Sequence, residues 1–248
     1  MSKQLIEQKI NKGEKLLAVL VDPDKVTLDI EAPAWQLVTR HAPDLFLVGG
    51  SLLVRGNVHE TVLWLKKHFS LPVWLFPGNY LHLTPAADAL LLLSLLSGRN
   101  PEFLIGQHVV AAPIIRQMQL PAIPTAYLLI EGHASTTVAY ISNTQPIPGN
   151  KIDIAVATAM AAELLGFQML YLEAGSGANL PVPTEMISAV RQAVQLPLIV
   201  GGGIRSAEIL REIYQAGASI AVIGTAWEEN PSIIEAMITT KNKFNAAL

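Results

Sequence analysis

The chain has 248 residues and a formal net charge of −3, with 51% hydrophobic and 15% charged residues. This composition excludes a disordered chain, and the weak negative charge argues against nucleic-acid binding. The sequence contains no cysteine, so disulfides, thiolate zinc sites and thiol nucleophiles are excluded.

The N-terminal segment MSKQLIEQKINKGEKLL predicts an amphipathic helix rather than a signal peptide, because no apolar segment follows its charges. The longest apolar run, residues 86–96, is interrupted by Asp88 and Ser94. It is shorter than the roughly 20 residues that are needed to span a bilayer. We therefore expect a cytoplasmic protein whose residues 1–248 form a single domain.

Eight short apolar segments follow one another along the chain, and most of them end in Gly, Asp, Pro or Ser. Segments that are apolar on both faces are typical of parallel strands buried between two layers. The predicted strands are LLAVLVDPD (16–24), LFLVGGS (45–51), LPVWLFPG (71–78), ALLLLSLLSG (89–98), TAYLLIEG (125–132), MLYLEAG (169–175), LPLIVGGG (196–203) and SIAVIGTA (219–226).

Helical patterns separate these strands. Ser206 is predicted to cap a helix that ends near Gly217, and Asp153 to cap another that ends near Gly166. Eight strands that alternate with helices over this length predict an α/β fold, a (β/α)₈ or TIM barrel. A doubly wound open sheet is the alternative, and it would more often show a G-x-G-x-x-G motif after its first strand.

One interval between predicted strands is unusually short. Only residues 78–88, GNYLHLTPAAD, separate the third and fourth strands, which is too few for a crossover helix with two loops. We interpret this as a missing or replaced helix that leaves an apolar groove on the barrel flank; a misplaced strand boundary is the alternative. Residues 133–150 are also irregular and predict a long loop or hairpin over the catalytic face.

Glycine-rich motifs follow the seventh and eighth strands, at residues 201–206 (GGGIRS) and 223–226 (IGTA). In TIM barrels, ligands bind at the C-terminal ends of the strands, and these two positions often form a phosphate site. Glycine allows backbone N–H groups to approach an anion closely. The pair of motifs therefore predicts a phosphorylated small molecule as ligand, whereas either motif alone could be a tight turn.

Glu173 ends the sixth strand, within the segment YLEAGSGAN (171–179). Since a carboxylate repels phosphate, we predict that it accepts a proton from a hydroxyl group of the same ligand. The alternative is an ion pair with Arg205 or Lys25. Tyr171 lies on the same face of the strand by alternation and is also predicted to contact the ligand.

Asp22 and Asp24 end the first strand in the motif VDPDK, and Ser51 ends the second. Mg²⁺ takes oxygen ligands, often one or two carboxylates together with water and a substrate phosphate. Asp22 and Ser51 therefore predict a sparse magnesium site that a diphosphate would complete, with a simple Asp-Pro-Asp turn as the alternative. Lys25 is predicted either to neutralise phosphate or to cap a helix.

The histidines show no metal-ligand spacing and are predicted to lie at the surface or in loops. They are His41, His59, His68, His82, His108 and His133. The tryptophans are predicted to be packing residues. They are Trp35, Trp64, Trp74 and Trp227.

The chain resembles the geranylgeranylglyceryl phosphate synthases and their bacterial relatives, in motifs that run in order along nearly its whole length. These motifs are VDPDK (21–25), VGGS (48–51), FPGN (76–79), SLLSGRNPEFLIGQHV (94–109), PIPGNK (146–151), YLEAGSGA (171–178), VGGGIRS (200–206) and IGTA (223–226). The glycine motifs are shared with many phosphate-binding barrels, whereas VDPDK, SLLSGRNP and YLEAGSGA together are more specific. The resemblance implies a modified barrel without the third helix.

The resemblance also implies a reaction: sn-glycerol 1-phosphate is joined as an ether to a polyprenyl diphosphate, such as geranylgeranyl diphosphate, and diphosphate is released with the help of Mg²⁺. Glu173 would be the base, and Asp22 and Ser51 would bind Mg²⁺. The glycerol phosphate would be held by Tyr171, Leu172, Glu173, Ala174, Gly175, Ser176, Gly177, Gly202, Gly203, Gly224 and Thr225. We expect a homo-oligomer whose product, 3-O-geranylgeranyl-sn-glyceryl 1-phosphate, passes to the membrane.

One position departs from part of the family. Some relatives carry a basic residue two places before the metal aspartate, where this chain has Leu20, so phosphate neutralisation there would fall to Lys25. The prenyl tail is predicted to lie along the flank near residues 76–82. Two alternatives remain open, a barrel enzyme acting on a phosphosugar and a non-catalytic lipid or phosphate binder. The first would need a second acid, base or lysine, from Asp22, Asp24 or Lys25.

Overall fold

Eight parallel strands close into a barrel in sequence order, with the last paired to the first, in a computed structural model that describes residues 2–132 and 136–247. The strands are β1 (Leu16–Val21), β2 (Leu45–Val48), β3 (Val73–Leu75), β4 (Ala89–Leu95), β5 (Ala122–Leu129), β6 (Met169–Glu173), β7 (Leu198–Gly201) and β8 (Ile220–Ile223). Most strand residues are buried, because helices cover the outside and side chains fill the interior. The predicted barrel is confirmed, and the doubly wound alternative is wrong.

Helices surround the barrel and cover its two ends. They are α1 (Ser2–Asn11), α2 (Pro33–Arg40), α3 (Val58–His68), α4 (Gln107–Met118), α5 (Thr137–Ser142), α6 (Ile152–Leu164), α7 (Thr184–Ala193), α8 (Ala207–Gln215), α9 (Thr225–Glu229) and α10 (Ile233–Asn245). The Ser206 cap is confirmed, since its hydroxyl accepts a hydrogen bond from the Ile209 N–H. The predicted Asp153 cap is wrong, because α6 begins at Ile152, one residue before Asp153. Asp153 instead lies in the first turn, where a negative charge favours the helix dipole.

The alternation of side chains along the strands creates two cores. On β6, Met169 and Tyr171 point into the barrel, whereas Leu170 and Leu172 pack against the helices. Glu173 continues the inward series at the mouth of the barrel, so Tyr171 and Glu173 share a face as predicted.

The tryptophans pack as predicted. Trp74 lies inside the barrel, and Trp35 packs in the outer layer with its ring 4.8 Å from that of Trp64 and 5.2 Å from that of Trp227. Trp35, Trp74 and Trp227 are buried, and Trp64 is partly buried. These contacts fix the layer of helices around β1, β2 and β8.

A single 3₁₀ turn, Tyr80–His82, stands where a helix would connect β3 to β4. The predicted loss of this helix is therefore confirmed, and the strand boundaries were not misplaced. The turn is too small to cover the outer faces of the two strands, so an apolar groove lies between it and α4. A π-helical turn, Glu102–Gly106, leads into α4 on the far side of this groove.

Residues 133–150, which were predicted to form a long loop or hairpin, contain a helix instead. Residues 133–135, including His133, lie outside the described residues; beyond them the chain forms α5, which the Thr136 side chain caps by accepting from the Ala139 N–H. Ile147 then forms an isolated bridge with Ile130. The hairpin is thus wrong, although Thr137 and Val138 do lie over the C-terminal face. Within residues 2–132 and 136–247, no helix has the length and apolar character needed to cross a membrane.

Candidate active site

A cleft of about 1210 Å³ opens at the C-terminal ends of the strands. It brings together nearly all the residues singled out from the sequence: Asp22, Ser51, Tyr171, Glu173, Ser176, Gly177, Gly202, Gly203, Gly224 and Thr225. Leu172 and Ala174 instead pack in the outer core, so only their backbone could face a ligand. Gly175 lies behind the cleft wall and touches Glu173.

Glu173 is the most deeply buried acid of this cleft, with only 6% of its surface exposed. Its Oε1 accepts a hydrogen bond of 2.7 Å from the Gly175 N–H. Burial raises the pKa of its carboxyl to about 7, although this hydrogen bond and the nearby Tyr171 hydroxyl favour the ionised form. The alternative ion pair is wrong, because Lys25 pairs with Asp22 and Glu228, and Arg205 with Glu229.

Tyr171 packs beside Glu173 and is fully buried. Its ring stacks on Phe76 with centroids 5.2 Å apart. The hydroxyl lies close enough to the carboxylate to lower its pKa, yet it makes no hydrogen bond of ordinary geometry within the described residues. Glycine is required opposite this pair: a Cβ on Gly201 would collide with the Tyr171 hydroxyl, and one on Gly202 would lie 2.6 Å from Glu173 Oε1.

The loops after β6, β7 and β8 meet on one side of the cleft. Gly177, Gly202 and Gly203 all adopt positive φ, of 74°, 80° and 69°. The Ser176 and Thr225 hydroxyl oxygens face each other at 3.4 Å across the loops. Small residues, left-handed backbone and two hydroxyl groups form a concave surface that suits a phosphate better than a bulky apolar group.

The loops after β1 and β2 form the opposite side and are joined by Asp24. Its carboxylate accepts hydrogen bonds from the backbone N–H groups of Gly56, Arg55 and Val54, and these bonds lower its pKa. The Asp24 N–H in turn donates to Asp22 Oδ1 at 3.0 Å. Asp24 therefore supports the loop that follows Ser51 and is not free to act as an acid or base.

Glu228, on α9, is a cleft residue that the sequence did not reveal. Its Oε2 lies 3.1 Å from the Lys25 ammonium, which is also 3.4 Å from Asp22 Oδ2. Lys25 thus caps no helix and sits between two carboxylates. Burial raises the pKa of Glu228, and Lys25 partly offsets this effect. In the sequence, the only indication is that Glu228 lies about one helical turn after Gly224. This spacing can be interpreted only once α9 is known to begin at Thr225.

The chemistry of Asp22 and Ser51 suits Mg²⁺. The Asp22 carboxylate faces the cleft, and the missing side chain of Gly50, whose Cβ would lie 3.7 Å away, leaves room beside it. A cation, the Lys25 ammonium, already lies against this carboxylate. Among the described residues no group of three or more His, Asp or Glu side chains could hold a metal ion. The chain therefore offers a sparse oxygen set of the kind that Mg²⁺ would complete with water and phosphate.

A separate apolar groove of about 840 Å³ runs from the cleft along the flank, between the 3₁₀ turn and α4. Ser51, Phe76 and Tyr127 border both spaces, so the groove and the cleft are continuous. The groove is lined mainly by Leu83, Leu90, Leu92, Leu95, Phe103, Ala111 and Ile115.

Two histidines near the groove differ from the surface prediction. His82 is buried, and its Nδ1 accepts a hydrogen bond from the Gly78 N–H. His108 lines the groove and lies 3.1 Å from the Ser94 hydroxyl. For His108, which lies in α4, the prediction is wrong, whereas His82 lies in the connection between β3 and β4 as predicted but is buried there.

Comparison with known proteins agrees with this architecture. Residues 8–243 match the sequence pattern of the PcrB family. The geranylgeranylglyceryl phosphate synthase of Spirosoma linguale is 48% identical over 236 residues, 95% of each chain, and that of Chitinophaga pinensis is 49% identical over 226 residues, 91% of this chain and 90% of the relative. This chain belongs to the PcrB family.

A crystal structure from the same group of enzymes superposes closely on this PcrB-family chain. It is the (S)-3-O-geranylgeranylglyceryl phosphate synthase from Thermoplasma acidophilum in complex with its substrate sn-glycerol-1-phosphate. The TM-score is 0.88 with 30% identity, covering 97% of this chain and 98% of the other. The resemblance indicated by the sequence motifs is thus confirmed over the full barrel.

The departure at Leu20 has a structural setting in this member of the PcrB family. Leu20 lines the cleft, and its side chain lies 3.5 Å from where a Cβ of Gly224 would stand. It fills the space below the loop after β8 with apolar atoms. The positive charge on this side of the cleft comes from Lys25, which lies five residues further along the chain.

Proposed function

We infer that the chain is a prenyltransferase that joins sn-glycerol 1-phosphate to geranylgeranyl diphosphate and forms 3-O-geranylgeranyl-sn-glyceryl 1-phosphate. One observation carries the assignment: Glu173, a buried acid with a pKa of about 7, lines a glycine-rich cleft that is continuous with an apolar groove. A hydroxyl-bearing phosphate and a long hydrocarbon diphosphate are the two molecules that such a junction would bring together.

The phosphate of the glycerol substrate is proposed to bind the loops after β6, β7 and β8. Gly202, Gly203 and Gly224 allow the backbone to approach it, and the Ser176 and Thr225 hydroxyl groups can donate hydrogen bonds. This anchor would place the free hydroxyl of glycerol toward Glu173. The crystal structure of the Thermoplasma acidophilum relative contains sn-glycerol-1-phosphate, which supports this choice of substrate.

Glu173 is proposed to take the proton of the attacking glycerol hydroxyl. A carboxyl group with a pKa near 7 is ionised in about half of the molecules at neutral pH and is a stronger base than an exposed glutamate. The Gly175 N–H holds one carboxylate oxygen in place, which leaves the other to receive the proton. Catalysis otherwise consists of holding the two substrates in reacting geometry.

The prenyl chain is proposed to occupy the apolar groove, near residues 76–82 as the sequence predicted, with its diphosphate at Asp22, Ser51 and Lys25. The leucines on the outer faces of β4 and the apolar side of α4 would exclude water from the chain. Mg²⁺, bound by Asp22 and Ser51, would supply charge neutralisation of the departing diphosphate. Lys25 would contribute a further positive charge from the rim.

We also propose that the chain forms a homo-oligomer and that its product passes to a membrane. The support for the first part is α6, which is apolar on all sides and exposes Ile154, Met160 and Leu164 to solvent. A helix that is apolar on every side is normally buried. The support for the second is the product itself, which carries a long hydrocarbon chain.

The phosphosugar alternative finds no support in the cleft. It would need a second acid, base or lysine, but Asp24 is occupied by three backbone N–H groups and Lys25 by two carboxylates. Asp24 is therefore not free to act as an acid or base, and the two carboxylates raise the pKa of Lys25 and so keep it in the charged ammonium form.

Diphosphate release from geranylgeranyl diphosphate tests the assignment. Release should require sn-glycerol 1-phosphate and Mg²⁺, and it should stop in EDTA. A non-catalytic lipid binder would bind the prenyl compound without any release, and this outcome would contradict the proposal. Release without glycerol phosphate would indicate a hydrolase instead.

A further inference from the structure

The ammonium group of Lys25 lies between two carboxylates that come from different parts of the barrel. Its Nζ is 3.1 Å from Glu228 Oε2, a hydrogen-bond distance, but 3.4 Å from Asp22 Oδ2. Lys25 is 49% exposed, whereas the Asp22 and Glu228 side chains are only 18% and 20% exposed. The two acids are therefore fixed in the cleft wall, and the lysine is the member of the trio that is free to change partner.

The neighbouring acid on α9 is not equivalent. Glu229 points away from this trio and pairs with Arg205 at 2.8 Å, and its side chain is 59% exposed. Glu228 is thus the one acid of α9 that faces Lys25 from across the mouth of the barrel.

Lys25 and a divalent cation would compete for the same carboxylate. Asp22 Oδ1 already accepts a hydrogen bond from the Asp24 N–H, so Oδ2 is the oxygen with the greater capacity to bind a cation, and Oδ2 is the atom that Lys25 approaches. Without a second carboxylate, the ammonium would be drawn fully to Asp22. With Glu228 present, it rests at hydrogen-bond distance from Glu228 and only near Asp22.

We propose that Glu228 is a positioning residue that holds the Lys25 ammonium off Asp22, so that the carboxylate remains available to a divalent cation while the ammonium stays at the edge of the diphosphate site. The inference rests on the proposed function, since it concerns the same metal and diphosphate. It gives α9 a second role beyond placing Thr225 beside the glycine loops.

Binding of Mn²⁺ in the presence of inorganic diphosphate, followed by electron paramagnetic resonance of the free ion, tests the proposal without turnover. Glu228→Gln should weaken Mn²⁺ binding by about fivefold, the upper end expected for a partly exposed ion pair. In a Lys25→Met background the same substitution should change binding by less than about twofold, because no ammonium remains to compete. Glu229→Gln, which removes the same charge one residue away, should stay within about twofold of the wild type.

Three outcomes would count against the proposal, and they differ in what they overturn. If Glu228→Gln has no effect in the wild-type background, Glu228 does not position Lys25. If it costs the same with and without Lys25, Glu228 attracts the metal directly through its charge. If the wild-type protein binds no Mn²⁺ with diphosphate, or if Asp22→Asn leaves binding unchanged, the proposed metal site itself fails and the inference fails with it.

Discussion

The Glu173 carboxyl group shows how a single residue can be made reactive by its surroundings. Its position at the end of β6 keeps it out of water, and the glycines at 201 and 202 leave it just enough space. An exposed glutamate would be fully ionised at neutral pH but would be a weak base. Here burial raises the pKa to about 7, which would make the carboxylate a stronger base than an exposed glutamate at neutral pH.

The activity of the wild-type protein should therefore depend on pH through Glu173. Because the ionised form is the base, kcat/KM should rise with pH and level off above a midpoint near 7. Glu173→Gln should lower kcat by about 10²–10⁴-fold and remove this midpoint. Steady-state rates between about pH 5.5 and 8.5 at saturating Mg²⁺ provide the test. A midpoint at the ordinary pKa of an exposed glutamate would show that the carboxylate is not desolvated.

The same pKa should appear in the stability of the fold. Between pH 4.5 and 7 the folded state binds more protons at Glu173 than the unfolded state does, so the free energy of unfolding falls as pH rises. The loss attributable to this group is about 3 kcal/mol above pH 8. Chemical denaturation of the wild type and Glu173→Gln at about pH 5 and pH 8 should show a smaller decline in the variant. Equal declines would argue against the raised pKa.

The sequence predicted that Glu173 lies at the barrel mouth but not how its proton affinity is set. In a TIM barrel the C-terminal ends of the strands form the mouth, so a strand that ends in Glu173 places the carboxylate there. Its burial, in contrast, depends on Tyr171, Phe76 and two loops that are distant in sequence. Glu228 was missed for a related reason, since one acid in a short helix carries no signal until its partner, Lys25, is located in space.

At the scale of elements, the loop after β7 has a packing role in addition to its proposed role in binding phosphate. A Cβ on Gly202 would lie 2.6 Å from Glu173 Oε1 and 2.8 Å from the Gly175 nitrogen. Both atoms belong to the hydrogen bond that holds the Glu173 carboxylate, so this loop and the loop after β6 can adopt their positions only together. The sequence indicated glycines for phosphate contact and gave no hint of this second requirement.

Alanine substitutions at Gly202 and at Gly166 should distinguish a loss of stability that comes from backbone strain from a loss of catalytic rate. Gly202 has φ of +80°, and Gly166, at the end of α6, has φ of +82° with no atom within 4 Å of the point where a Cβ would stand. Each alanine variant should lose about 1–2 kcal/mol of stability from its left-handed backbone. Only Gly202→Ala should also lower kcat, by about 100-fold, because it displaces Glu173. Equal kcat values in both variants would refute the packing argument.

The replaced helix has its own consequence for substrate choice. Ala111 lines the groove on α4 and is 5% exposed. Ala111→Phe should fill part of the groove, and overpacking there should reduce kcat/KM for geranylgeranyl diphosphate by about tenfold relative to geranyl diphosphate. The shorter substrate is the internal control for folding and chemistry. An equal loss for both lengths would place the prenyl chain elsewhere.

The short interval between β3 and β4 allowed this groove to be predicted from the sequence, because chain length limits what a connection can contain. The segment at 133–150 shows the opposite case. Its polar, turn-rich composition resembled a loop, yet residues 137–142 form a helix that the Thr136 side chain starts and that packs over the barrel mouth. Tertiary contacts decided its conformation, and local propensity did not.

At the scale of the whole molecule, the outer face of α6 is the feature that the single chain leaves unexplained. Ile154, Met160 and Leu164 are 44%, 48% and 89% exposed; Met160 and Leu164 are one helical turn apart and share one side of α6, and Ile154 lies further around the helix. The homo-oligomer expected from the sequence implies a contact surface but does not locate it. Its position on α6 could only be found once the helix was seen to pack its small residues, and not these, against the barrel.

Charge placed on this face should change the mass of the particle in solution. We expect the wild type to run as a dimer or larger in size-exclusion chromatography with light scattering, and Met160→Glu combined with Leu164→Glu to run as a smaller species. Leu63→Glu on α3, a leucine of similar exposure among charged neighbours, is the matched control. A monomeric wild type would contradict the proposed assembly.

The missing helix between β3 and β4 links substrate binding to the thermal stability of the fold. In a complete barrel, Leu90 and Leu92 would pack against a helix of the same chain, whereas here the prenyl chain is proposed to cover that side of the groove. On that proposal, apolar contacts around the groove would form and be lost again in each catalytic cycle. Ligands that fill the groove most completely will protect the protein best against heat, and they will also leave it most slowly. The protein is therefore expected to be most stable against heat in the ligand-bound state, in which turnover is slowest.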